Sequence, residues 1–289
     1  MREKIKTGIS VFIIVILLPY VAAVFRTGGI REVETETPEI EKLVAEILPT
    51  QMSVTYEEEA LKAQAVVIRT NLIRKSMELN GSGGASEAAE AVKEEDLETM
   101  GFSVCTKEKA ADTWGYEKAE EYLQKCLQAA LDTKGEILLV NEKPADLPYH
   151  AVSSGKTRSG SVLGEEYVFL ESVECPEDLG SSEYLKIQTL KDGFSEAPEI
   201  LARDEAGYVL EVRTQGEIMA GEEFRTRFHL NSSCFTAEMT EEGLRITTKG
   251  YGHGLGMSLY EANCMALAGK KYQEILSYFY RNTECISYS

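Results

Sequence analysis

The chain has 289 residues, 43% of them hydrophobic and 27% charged, an ordinary balance for a globular protein with one sizeable core or two lobes. Its formal net charge of −18, from 30 basic against 48 acidic residues, excludes the basic footprint that a nucleic-acid partner requires. The same charge argues against broad adhesion to anionic membranes or anionic wall polymers.

In chain order, Arg2, Lys4 and Lys6 precede a largely apolar run from Gly8 to Phe25, long enough to span a bilayer. Residues 1–25 are therefore expected to form a single-pass transmembrane anchor. A cleaved signal peptide with small residues at Val21-Ala22-Ala23 is the alternative. Either reading puts the rest of the chain outside the cytoplasm. Residues 26–39, with Gly28, Gly29 and Pro38, have the composition of a short tether.

From residue 40 the pattern becomes globular. Ile40–Pro49 is apolar at helical spacing and is expected to stop at its proline. Thr55 and Glu58 fit a capping box, and Glu57, Glu58 and Glu59 place negative charge at the start of a helix. Leu61, Ala65, Ile68 and Leu72 form its expected buried stripe, with Lys62 and Arg69 projecting together from one face. Asn80–Ser86 reads as a flexible loop opening a surface insertion over about 80–115, Ala/Glu-rich to Glu98, with room for some helix and no chemistry of its own. Lys118–Leu131 is a second amphipathic helix and Glu136–Val140 a strand. A short helix and a strand follow within Gly221–Phe235, then a strand at Leu244–Thr248. A glycine loop leads to a helix at Ser258–Ala268, stopped by Gly269. Strands and helices segregated in this way give an α+β fold. The six cysteines contain no C-x-x-C pair, so they are either disulfide-forming or, as preferred, small buried apolar residues.

Two stretches carry more than pattern. Glu59-Ala-Leu-Lys-Ala-Gln-Ala65 followed by Arg69 is one. Gly250-Tyr-Gly-His-Gly-Leu-Gly-Met-Ser258, then Met265-Ala266, Gly269 and Tyr272–Leu276, is the other. Together they resemble the hallmarks of the stage II sporulation protein D family of bacterial peptidoglycan lytic transglycosylases, over about Ile40 to the last residue. Tyr149–Thr157 resembles a third family segment. The resemblance implies cleavage of denuded glycan strands without water. One carboxylic acid protonates the leaving oxygen, and the muramic acid's own C6 hydroxyl closes a 1,6-anhydro ring.

That acid is expected eight residues before Glu59, where this chain has Gln51, an amide with no titratable proton. Glu59 stands at the other family glutamate, but a helix N-terminus lowers a carboxyl pKa, the wrong direction for an acid. Two readings follow. One is a membrane-anchored lytic transglycosylase of spore engulfment that uses another glutamate, with Lys62 and Arg69 beside Glu59. The other is a catalytically silent relative that holds glycan strands or scaffolds an amidase of the stage II sporulation protein P type at a membrane. In either, His150, Ser153, Ser154, Thr157, Gly252, His253, Gly254 and Gly256 are the expected substrate-binding set. The bland alternative makes the glycine run a tight strand-to-helix connection with nothing bound, and His253 a capping residue. Lys156, Leu259 and Glu261 depart from the family motifs. Some relatives hold zinc through histidines and cysteines near Tyr149–Thr157. Only His150 stands here, so neither metal nor other cofactor is expected.

Overall fold

Helix α1 (Glu39–Gln51) buries Ile40, Leu43, Val44, Ile47 and Leu48 at helical spacing. It runs through Pro49 and ends two residues later than expected. The computed structural model describes residues 37–288 apart from 82 and 192. The expected anchor over 1–25 and most of the 26–39 tether lie outside those residues. Among the described residues no helix is long and apolar enough to cross a membrane.

Helix α2 (Glu58–Asn80) begins after a turn that replaces the expected capping box. The Thr55 hydroxyl pairs instead with that of Ser53 at 2.8 Å, and Glu57 occupies the N-cap without a side-chain cap. The expected one-sided stripe is also corrected. Ala60, Leu61, Ala63, Val66, Val67, Ile68, Leu72 and Ile73 are all buried, so α2 is enclosed on most sides, as a helix at the centre of a domain is. Gly81 closes it in the left-handed region at φ 67°, where a glycine costs least.

The insertion is packed rather than loose. Helix α3 (Ala85–Ala91) and the turns after it bury Ala88, Val92, Leu97 and Met100 in the main core, and Ser76 on α2 donates to the Ala88 carbonyl at 2.8 Å. Helix α4 (Lys107–Trp114) follows, capped by Thr106, and packs on α5 (Tyr116–Asp132).

Strand β1 (Glu136–Val140) is the middle of an antiparallel sheet, with β2 (Lys143–Pro144) on one side and the final strand β11 (Glu284–Ser287) on the other. A short parallel pair joins β3 (Tyr149–His150) to β10 (Met257–Ser258). Two further antiparallel sheets have the orders β4-β9-β8 (Leu185–Leu190, Gly243–Lys249, Phe235–Thr240) and β5-β6-β7 (Glu199–Arg203, Val209–Thr214, Glu217–Ala220). Helix α6 (Gly221–Arg227) packs on β6, while α7 (Leu259–Leu267) and α8 (Tyr272–Phe279) pack on α2.

Apolar burial falls into two main cores. One surrounds α2 and draws on α1, α5, β1, α7 and α8. The other lies between the β-sheets, from Val209, Val212, Phe224, Phe235, Leu244 and Ile246. The α+β expectation therefore holds. Four of the six cysteines are buried and all six are unpaired.

Candidate functional site

Gln51, at the end of α1, is half-buried, and its Oε1 accepts from Nε2 of the fully buried Gln64 at 2.8 Å. Glu59 is the second residue of α2. Its Oε2 accepts the Tyr272 N–H at 2.9 Å, capping α8, while Oε1 faces Lys62 Nζ at 3.4 Å and Lys271 Nζ at 3.5 Å. Partial burial pushes the Glu59 carboxyl up, but the Tyr272 amide and the two lysines outweigh it and hold the pKa below the ordinary value. Lys62 is drawn mainly to Asp132, 2.8 Å away, which raises its own pKa.

Arg69 does not share the surface of Lys62. It is 0% exposed and forms a two-pronged ion pair with the equally buried Glu41, its Nε 3.1 Å from Oε1. It also donates to the carbonyls of Ala130 and Glu136, at 2.9 and 3.1 Å, tying α1, α2, α5 and β1 together. The expectation that it projects with Lys62 into a site beside Glu59 is corrected: every one of these bonds is internal.

The second set gathers where the two cores meet. His150 is buried; its Nδ1 lies 3.0 Å from the Leu255 carbonyl, and its Nε2 has no partner. Burial, then the neighbouring His253, push the His150 pKa down to about 3, so its ring is neutral. The Ser153 amide donates to Asp178 Oδ2 at 2.7 Å, and its hydroxyl accepts from Gly155. Ser154 Oγ donates to the Ala206 carbonyl at 2.8 Å, and Thr157 Oγ1 accepts the Val173 N–H at 2.9 Å. His253 Nδ1 accepts the Leu255 N–H at 3.1 Å, and burial lowers its pKa.

The glycines of this segment make room for protein rather than for a ligand. A Cβ on Gly252 would stand 2.6 Å from the His150 Cβ, and one on Gly254 would strike the Tyr208 ring at 2.3 Å. One on Gly256 would lie 1.8 Å from the Pro148 carbonyl oxygen, with φ at +67°. That supports the tight-connection reading of the run. Among the described residues, no hydrogen bond or ion pair links Gln51, Glu59 or Lys62 to the His150–Thr157 or Gly252–Gly256 sets.

The main group that the sequence reading missed is Asp178 with Glu261 and Cys175. Their ligand atoms lie within 4.8 Å of one another. Asp178, wholly buried, accepts from the Ser153 amide and from Ser258 Oγ at 2.8 Å, at the start of α7. Glu261, on α7, accepts the Glu177 N–H at 2.9 Å and so caps the opposing 3-10 turn Pro176–Gly180. The arrangement is a reciprocal cap of two helix starts, with carboxylate lone pairs taken up by N–H and O–H donors. Burial pushes the Cys175 thiol up, away from the thiolate that metals prefer. The signal in the sequence was the glutamate at 261 in place of the motif's glycine.

Comparison with known proteins agrees with the two motifs. A family model described as stage II sporulation protein matches residues 29–139. Stage II sporulation protein D of Bacillus subtilis (strain 168) is 30% identical over 280 residues, covering 92% of this chain and 79% of that protein. The chain belongs to the stage II sporulation protein D family. The protein of that name from Bacillus amyloliquefaciens is 29% identical over 280 residues, covering 92% of this chain and 78% of its own. A B. subtilis protein named amidase enhancer is 26% identical over 283 residues, 84% of this chain and 40% of that one. The residues matched by the family model include Gln51 and the Glu59–Arg69 stretch of α2.

Proposed function

We propose that this is a sporulation cell-wall protein that holds denuded peptidoglycan glycan strands without cutting them. In this reading the domain lies outside the cytoplasm, anchored by residues 1–25, during engulfment. The names of the relatives support the sporulation and cell-wall part.

The observation that carries the silent reading is the pairing of Gln51 with Gln64, together with a Glu59 engaged by Tyr272 and two lysines. A proton donor for a glycosidic oxygen needs a raised pKa and a free oxygen. Glu59 has a lowered pKa and neither oxygen free. Gln51 stands where the resemblance expects the acid and carries no titratable proton. Glu261 has an upward-shifted pKa, but it is buried and its carboxylate caps a turn.

Gln64 Nε2 donates to the side chain at 51, and a glutamate of the same shape accepts that bond equally well. The test is digestion of denuded glycan strands by the natural chain and by a Gln51→Glu variant, read by mass spectrometry for 1,6-anhydro products. The expected outcome is none from the natural chain and a clear yield from the variant. Anhydro products from the natural chain would overturn the silent reading in favour of a transglycosylase with another acid.

A second role, support of a cell-wall amidase of the stage II sporulation protein P type, draws on the relative named amidase enhancer. It is compatible with silence, since a scaffold needs no acid.

A further inference from the structure

The insertion builds a cleft that neither family motif lines. Pro49 and Thr50 at the end of α1, Ser103 on the following loop, and Lys109, Asp112 and Trp114 of α4 are among the residues that border an open, solvent-facing depression of about 410 Å³. That volume lies in the range of roughly 300–1,000 Å³ in which small ligands are held. Trp114 is the one tryptophan of the chain. Its ring is half-buried and held edge-to-face against Tyr122, centroids 5.5 Å apart, so its orientation is fixed while it lines the cleft.

The hydroxyls of Thr50 and Thr113 are spent on backbone carbonyls, but other polar groups of the cleft are not. Among the described residues, the Asp112 carboxylate and the Ser103 hydroxyl have no partner, and Lys109 Nζ reaches only the Val104 carbonyl, at 3.4 Å. One cation and one anion balance, so the cleft favours no ion of either sign. An aromatic ring beside uncommitted hydroxyl, carboxylate and ammonium groups suits an uncharged polyol with an apolar C–H face. A phosphate would need an excess of positive charge, and an apolar peptide would leave these polar groups unpaired.

Position completes the argument. Thr50 Oγ1 shares its one proton between the Ile47 carbonyl at 2.7 Å and the Ser103 carbonyl at 3.1 Å, pinning the insertion to the end of α1. Gln51 is the next residue, about 3.8 Å away along the backbone. The cleft and Gln51 therefore both lie at the end of α1, although only Thr50 of the two lines the cleft.

We propose that the cleft is an accessory sugar-binding subsite. Trp114 stacks on an N-acetylhexosamine, and Asp112, Ser103 and Lys109 meet its hydroxyl and N-acetyl groups. The inference rests on the glycan reading above and adds a place for the strand to extend.

The full-length chain in mild detergent would be titrated with a denuded peptidoglycan tetrasaccharide, with calorimetry for affinity and Trp114 fluorescence for location. Binding should shift the Trp114 emission. Trp114→Ala should weaken affinity about tenfold, as truncation of a buried aromatic anchor does. Asp112→Ala, at an exposed position whose loss leaves packing intact, should weaken it about threefold. Equal calorimetric affinity in the natural chain and both variants, with no emission shift, would overturn the subsite and leave the glycan reading standing. No calorimetric binding by the natural chain would overturn both.

Discussion

Helix α2 meets the rest of the molecule through side chains, whereas the glycines of the Gly250–Ser258 segment let its backbone meet the rest directly. At the middle of α2, Arg69 reaches Glu41 and two carbonyls, gathering three other elements around one guanidinium. In the glycine segment the absent Cβ atoms let His150, Tyr208 and Pro148 approach the chain. Both stretches carry the family resemblance, and both are largely consumed by folding. They differ in what they leave over. The junction of α1 and α2 keeps Gln51, Glu59 and Lys62 at least partly open to solvent, while the glycine segment leaves Tyr251 and parts of Gly252 and His253. Chemistry belonging to this fold is therefore better sought where α1 hands over to α2.

The comparison breaks most visibly at Arg69. Arg69→Ala removes one partner of a buried pair and leaves Glu41 uncompensated, a loss of about 3–5 kcal/mol. Chemical denaturation should show the midpoint falling with the slope unchanged. A loss below about 1 kcal/mol, the level of a surface pair, would mean that Arg69 spends its time facing solvent after all.

Gly256→Ala tests the other side. A non-glycine residue at φ +67° is strained by about 1–3 kcal/mol even before its Cβ meets the Pro148 carbonyl. The expected outcome is a drop in thermal midpoint with glycan affinity retained in the folded fraction. Full stability with lost affinity would reverse the assignment and make this glycine a ligand contact.

Much of the architecture was legible because local rules and tertiary packing agreed. The α5 helix, β1, β9 and α7 lie within a residue or two of where periodicity and glycine stops put them. The start of α2 was not, because Ser53 competes for the Thr55 hydroxyl and no periodicity reports such a rival. Arg69 was misread for a related reason. Helical spacing says that positions 62 and 69 share a direction, but it does not say that α1 supplies a buried carboxylate at Glu41 to meet the second of them. The insertion was judged by its glycines and its Ala/Glu composition, and small alanines such as Ala88 turned out to suit close packing on α2. Asp178 was invisible, since its partners Ser153 and Ser258 are far away in sequence and meet it only through the fold.

That hidden group gives the smallest expected effect and the sharpest sign. Burial, then the charge of Asp178, push the Glu261 carboxyl up to about 7 from an ordinary 4.5. Between those values the folded chain binds more protons than the unfolded one. Stability is therefore gained as pH falls from about 7 and lost as pH rises through it. Asp178, also shifted upward by burial, acts in the same direction. His150 opposes them. Its pKa falls to about 3 from 6.5, so below 6.5 the unfolded chain takes up the proton that the folded ring refuses. That costs about 1.4 kcal/mol for each pH unit. Urea midpoints should rise from pH 8 towards 6.5, flatten where the two effects oppose, and fall below pH 4.5, where the Glu261 gain is complete and the groups with lowered pKa, His150 foremost, still cost stability. Glu261→Gln should remove most of the rise between pH 8 and 6.5 and leave the acid limb in place. If the variant kept the full rise, Asp178 alone would be the group that releases its proton, and the Glu261 cap on Pro176–Gly180 would be held as a carboxylate throughout.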